Sequence, residues 1–156
     1  HLLFLGFYLA CGALATLAQV LADPASPIPV VGASGAIAGV MGGYLLLFPK
    51  AKIDILVIFV VFFRVFSISA WIVLGLWFAL QLLTGATSTA ATSSIAYWAH
   101  IGGFAAGLVL IFPLFIRLGA AAFWRETLGH PPHPEKIYAG SLARVPLVPR
   151  KSNTRK

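Results

Sequence analysis

Leu2-Leu3-Phe4-Leu5-Gly6-Phe7-Tyr8-Leu9-Ala10-Cys11-Gly12-Ala13-Leu14-Ala15-Thr16-Leu17-Ala18-Gln19-Val20-Leu21 is apolar throughout except for Thr16 and Gln19, and it carries no charge. A helix needs roughly 20 mostly apolar residues to cross about 30 Å of hydrocarbon. This stretch therefore predicts a membrane span, closed by Ala22-Asp23-Pro24. The composition agrees: 60% of the 156 residues are hydrophobic, 10% are charged, and the mean hydropathy is +0.94. No soluble core of this size needs that much apolar surface.

Working outward, Ser26 to Val31 contains Pro27 and Pro29, which remove backbone donors and disfavour helix, so it reads as a loop. A second crossing is predicted from Gly32 to Leu47, ending at Phe48-Pro49 with Lys50 and Lys52 at the water interface. From Ile53 to Leu83 the chain is apolar almost without interruption, and as one straight helix it would extend about 46 Å and overshoot the bilayer. Arg64 and Ser67-Ile68-Ser69 supply a break, because a mid-membrane arginine is expensive whereas one near an end can snorkel. The expectation is an interfacial or slanted segment from Ile53 to Phe63, then a third crossing from Phe66 to Leu83. Thr84 to Ser94 reads as an uncharged polar loop, and a fourth crossing is expected from Ile95 to Ile116. The expected fold is thus an all-α polytopic membrane protein with four transmembrane helices, with residues 1–116 as the membrane domain.

Residues 117–156 hold eight of the eleven Lys and Arg residues and five prolines, and read as a basic cytoplasmic tail whose distal half is disordered. Cytoplasmic flanks carry the excess of Lys and Arg. Lys50, Lys52 and Arg64 fall on the same side as the tail, while the loops 22–31 and 84–94 have none and face outward. The net charge of +7 then reflects membrane orientation and affinity for anionic lipids at the tail. No nucleic-acid motif gives it another meaning.

Two short motifs open the second and fourth crossings: Gly32-Ala33-Ser34-Gly35, and Ala99-His100-Ile101-Gly102-Gly103 with Gly107 beyond it. Ser34 and His100 would each lie on the order of 8–9 Å below the outer surface at helical rise. Serine hydrolysis needs a base within hydrogen-bond reach of the hydroxyl, and His100 is the one histidine in the predicted crossings. No Asp or Glu accompanies either motif, which points to a dyad instead of a triad. Backbone N–H groups of Gly32, Ala33 and Ser34, at a helix start, are candidates for the oxyanion hole. Gly35, Gly39 and Gly43 repeat at four-residue spacing, and His100, Gly103 and Gly107 share a helical face, so the glycines are expected to bring the two helices together. On the plainer reading Ser34 is one more small packing residue and His100 a satisfied structural histidine.

Cys11 is solitary, so no intrachain disulfide is possible, and Met41 reads as packing. Tyr97, Trp98, Trp71 and Trp77 read as an aromatic belt, with Trp98 also placed to line a substrate entrance. No Cys/His cluster, phosphate-binding loop or acidic pair occurs, so neither a metal nor a cofactor is expected.

These residues resemble the rhomboid family of intramembrane serine proteases. The resemblance is carried by Val31-Gly32-Ala33-Ser34-Gly35-Ala36-Ile37, Leu47-Phe48-Pro49, Leu76-Trp77-Phe78, Gln81-Leu82, and Ala99-His100 followed by Gly103 and Gly107. It covers roughly Phe4 to Phe112. It implies Ser34 as nucleophile, His100 as general base and acid, a helical-bundle fold, and transmembrane segments of other proteins as substrates cut near the outer face of a bacterial cytoplasmic membrane. Two departures stand out. Nothing matches the family helix that supplies a His and an Asn to the oxyanion site, and the chain opens on His1, so an N-terminally truncated fragment is expected, whose activity by itself is not implied. Ala38 stands where many relatives place an aromatic against the histidine, a role that Tyr97 or Trp98 is placed to take over. A catalytically inactive client-binding relative and a small transporter or channel subunit are the competing readings.

Overall fold

The computed structural model describes residues 1–25, 33–59, 62–87 and 95–132. Its elements are α1 (Leu2–Ala22), α2 (Ser34–Leu47), β1 (Lys52–Phe59), β2 (Phe62–Ser69), α3 (Ala70–Thr87), α4 (Tyr97–Arg117) and α5 (Ala121–Thr127). The expected loop at 26–31, Gly32, residues 88–94 and the tail from 133 onward lie outside the described residues.

Three helices, α1, α3 and α4, are long and apolar enough to cross a membrane. The predicted second crossing is the short one: α2 has 14 residues, about 21 Å of helix against about 30 Å of hydrocarbon.

The all-α expectation needs a correction between α2 and α3. The segment expected to slant along the interface, together with the start of the predicted third crossing, forms an antiparallel hairpin pairing Lys52 with Ser69, Leu56 with Val65 and Phe59 with Phe62. Ser67 Oγ donates to Asp54 Oδ1 across the strands at 2.6 Å, and the Arg64 guanidinium sits over the Phe66 ring at 5.3 Å. The reason lies in side-chain shape. Ile53, Ile55, Val57, Ile58, Val65 and Ile68 are β-branched and stiff at χ1, which suits a pleated strand better than a helix. Consequently α3 starts at Ala70 and runs on to Thr87, beyond the predicted end at Leu83.

The glycines set the helix order and direction. A methyl group built on Gly35 would meet Ala15 Cβ at 2.6 Å, and one on Gly39 would meet Cys11 Cβ at 2.5 Å. As α2 advances α1 recedes, so the two run antiparallel. Against α4 the progression has the opposite sense: Gly35 faces Ala99 and Gly103, Gly39 faces Gly103 and Gly107, and Gly43 faces Gly107 and Ile111. Helices α2 and α4 are therefore parallel, and theirs is the most extensive helix contact. Helix α3 opposes α4, since Gly85 meets Tyr97 and Ile101 while Trp77 meets Phe104.

Small residues fill the interior and large ones face outward. Ala15, Ala36, Ala38 and Ala99 are buried, while Leu3 is 92% exposed and Val109 69%. That is the packing expected where lipid surrounds the bundle and close backbone approach holds it together. At the end opposite the α2 and α4 starts, Ala70 N donates to Ala51 O, Lys50 N to Gly129 O and Trp124 Nε1 to Leu46 O. These bonds gather the hairpin base, Lys50, and the α5 region at one end of the molecule.

Candidate active site

Ser34 is the first residue of α2 and is exposed; His100 is the fourth residue of α4 and is half-buried. Their helices start at the same end and run side by side. At that end the carbonyl oxygen of Ala99 lies 3.4 Å from the position of a Gly35 Cβ, so Ser34 and His100 each adjoin a residue of this backbone contact. A four-residue stripe, Ser34, Ala38 and Gly42, runs down α2, and another, His100 and Phe104, runs down α4. Gly42 abuts the Phe104 carbonyl, and Ala38 and Phe104 belong to one buried cluster with Ala51, Ala70 and Leu74.

The four packing glycines foreseen in the sequence are brought together. A methyl on Gly103 would strike the Gly35 carbonyl, and one on Gly107 the Gly39 carbonyl. Both are backbone atoms that cannot swing aside, so no residue larger than glycine fits without separating the helices.

His100 is held from α3. Its Nδ1 lies 2.8 Å from Gln81 Oε1, and its ring lies 5.8 Å from that of Trp77, tilted by 43°. Trp77 and Gln81 are four residues apart and so present one face of α3. Trp77 also touches Phe104, which stacks on Phe78 at 4.6 Å. Among the described residues no hydrogen bond joins Ser34 to His100, and the Ser34 hydroxyl makes none.

From the other flank, Gln19 of α1 reaches the start of α4, where its Oε1 accepts from the Ala99 N–H at 3.1 Å. That N–H also lies 3.1 Å from Ala96 O. The first-turn donors of a helix lack intrahelical acceptors, and no side chain of α4's own cap supplies one. Two glutamines from two helices thus flank the residue pair Ala99-His100.

Trp77, expected in an aromatic belt, lies instead against the imidazole. Tyr97 and Trp98, the expected stand-ins for an aromatic at position 38, pack toward Gly85 of α3. The sequence reads Gln19 as an interruption in an apolar helix and Gln81 only as one of the residues that carry the resemblance, with no contact foreseen for either. The available signal was their polarity, since a polar side chain in a membrane helix is costly unless it finds a partner.

The backbone at the α2 start offers donors. Ala33 is the N-cap, and the N–H of Ser34 is the first of the helix donors that have no intrahelical acceptor. Gly32 lies outside the described residues. Among the described residues no cluster of His, Cys, Asp or Glu could hold a metal ion.

The sequence matches the Rhomboid domain family over residues 1–117, that is 117 of 156 residues. The chain belongs to the rhomboid family, whose members are generally intramembrane serine proteases. Comparison with curated proteins and with solved structures finds no match for it.

Proposed function

We propose that this chain carries the Ser34–His100 dyad of an intramembrane serine endopeptidase that cleaves transmembrane segments of other membrane proteins. The observation that supports this most is the parallel, level packing of α2 and α4 across Gly35 and Ala99, which sets both candidate groups beside one close contact. Ser34 Oγ attacks the scissile carbonyl carbon while His100 takes the hydroxyl proton. The tetrahedral intermediate collapses, the leaving amine departs with that proton, and Ser34 is left as an ester. Water, deprotonated by His100, then releases the carboxylate product and restores the hydroxyl. Developing negative charge is met by the Ala33 and Ser34 N–H groups at the positive end of α2.

The short α2 acts as a fourth, incomplete crossing, its start recessed below the outer surface. Lys50 and Arg117 then lie on the cytoplasmic side, and their placement at one end is supported by the bond between Lys50 N and Gly129 O, just beyond α5. The basic tail 117–156 contacts anionic lipids on that side.

The test is cleavage of a labelled transmembrane substrate by the natural full-length protein in membranes. Ser34→Ala and His100→Ala each abolish cleavage while membrane insertion is kept. Binding of the same substrate by the unmodified protein without cleavage supports the inactive client-binding relative instead.

A further inference from the structure

Histidine can act as a base only through a ring nitrogen that lacks a proton, and which nitrogen that is depends on the hydrogen bond made by the other. His100 Nδ1 lies 2.8 Å from Gln81 Oε1. An amide oxygen has no proton to give, so Nδ1 must carry the hydrogen of this bond. The neutral ring then has its lone pair on Nε2, and among the described residues Nε2 makes no hydrogen bond. The contact is not incidental. Trp77, one turn earlier on α3, lies against the same ring at 5.8 Å, Phe104 fixes Trp77 from the next turn of α4, and Gln19 holds the backbone of Ala99 from α1. The half-buried ring has few ways to turn, and Gln81 selects among them.

We propose that Gln81 is a positioning residue that holds His100 in the Nδ1–H tautomer and reserves Nε2 for the proton of Ser34, the part an aspartate plays in a catalytic triad. This rests on the dyad reading of His100. A neutral partner suits the setting, because a carboxylate here would place an uncompensated charge among apolar helices, whereas the amide orients the ring at no such cost. It also accounts for the lack of an acidic residue near either motif.

The test reads the tautomer directly. The natural full-length protein, labelled with ¹⁵N in its histidines and reconstituted in bilayers, gives distinct nitrogen shifts for Nδ1–H and Nε2–H rings, with His100 assigned by comparison with His100→Ala. The expected spectrum is the Nδ1–H form in the unmodified protein, lost in Gln81→Leu and kept in Gln81→Glu, whose carbonyl oxygen still accepts when the acid is protonated. Cleavage should follow the spectrum: Gln81→Leu lowers kcat roughly 10²-fold with KM little changed, and Gln81→Glu recovers most of it. An Nε2–H ring in the unmodified protein overturns the proposal even if no Gln81 variant folds. So does a Gln81→Leu protein whose tautomer or cleavage is unchanged. If His100→Ala itself cleaves normally, the dyad reading fails, and the tautomer measurement still decides whether Gln81 sets the ring.

Discussion

His100 is the side chain on which three helices converge: it stands on α4, is bonded by Gln81 of α3, and has its neighbour Ala99 held by Gln19 of α1. A nucleophile and its base act as a unit, so Ser34→Ala and His100→Ala should each reduce cleavage by roughly 10³- to 10⁶-fold, and the double variant should be little worse than either alone. Comparing the three rates checks this, and additive losses would mean that the two residues act separately. At this scale the sequence singled out Ser34 and His100 as candidates because a lone histidine in an apolar helix has few innocent explanations. Gln81, Gln19 and Trp77 were not legible as partners of the site. Each lies on a different helix from Ser34, and only the bundle shows which face of a helix meets which neighbour. A tryptophan in an apolar helix suits lipid and an imidazole equally well.

Helices α2 and α4 touch through backbone, and the glycines divide into those that matter for this and those that do not. Gly107→Ala and Gly103→Ala drive a methyl into a carbonyl oxygen, whereas a methyl on Gly75 or Gly6 meets nothing within 4 Å. The first pair should lose about 1–3 kcal/mol of stability and most activity, because a displacement of about 1 Å can cost on the order of 100-fold in rate. Gly75→Ala and Gly6→Ala should match the unmodified protein in thermal unfolding and cleavage. Normal behaviour of Gly107→Ala would refute the close contact. The four-residue glycine spacing was readable in advance because close approach demands it. The hairpin was not, since an apolar run has the same composition in a strand and in a helix, and length alone invited a division into helices. Its register is testable. Leu56 and Val65 are direct partners, and cross-strand partners lie within the Cα separation a disulfide requires. Leu56→Cys with Val65→Cys should therefore crosslink on mild oxidation, seen as a mass loss of two hydrogens. In one continuous helix the same residues would be about 13 Å apart along the axis and could not join.

For the molecule as a whole, direction is the decisive property: α2 and α4 both start where α1 and α3 finish, and the hairpin base, Lys50 and the α5 region gather at the other end. Charge placement in the sequence expects Lys50 and the region from Arg117 onward on one side, because it reports where Lys and Arg meet water. The crossing predicted from Gly32 to Leu47 corresponds to α2, Ser34–Leu47, while Gly32 lies outside the described part of the chain. Single cysteines at Thr87 and at Lys50, in a Cys11→Ala background, should react with a membrane-impermeant maleimide from opposite faces of sealed vesicles. Labelling of both from one face would break the proposed orientation. The central claim, that Ser34 is a nucleophile activated by His100 inside the membrane, is tested most directly by treating the natural full-length protein in native membranes with a fluorophosphonate and locating the adduct by mass spectrometry. The account predicts a single adduct on Ser34 that disappears in His100→Ala; an adduct on another residue, or undiminished labelling of Ser34 without His100, would contradict it.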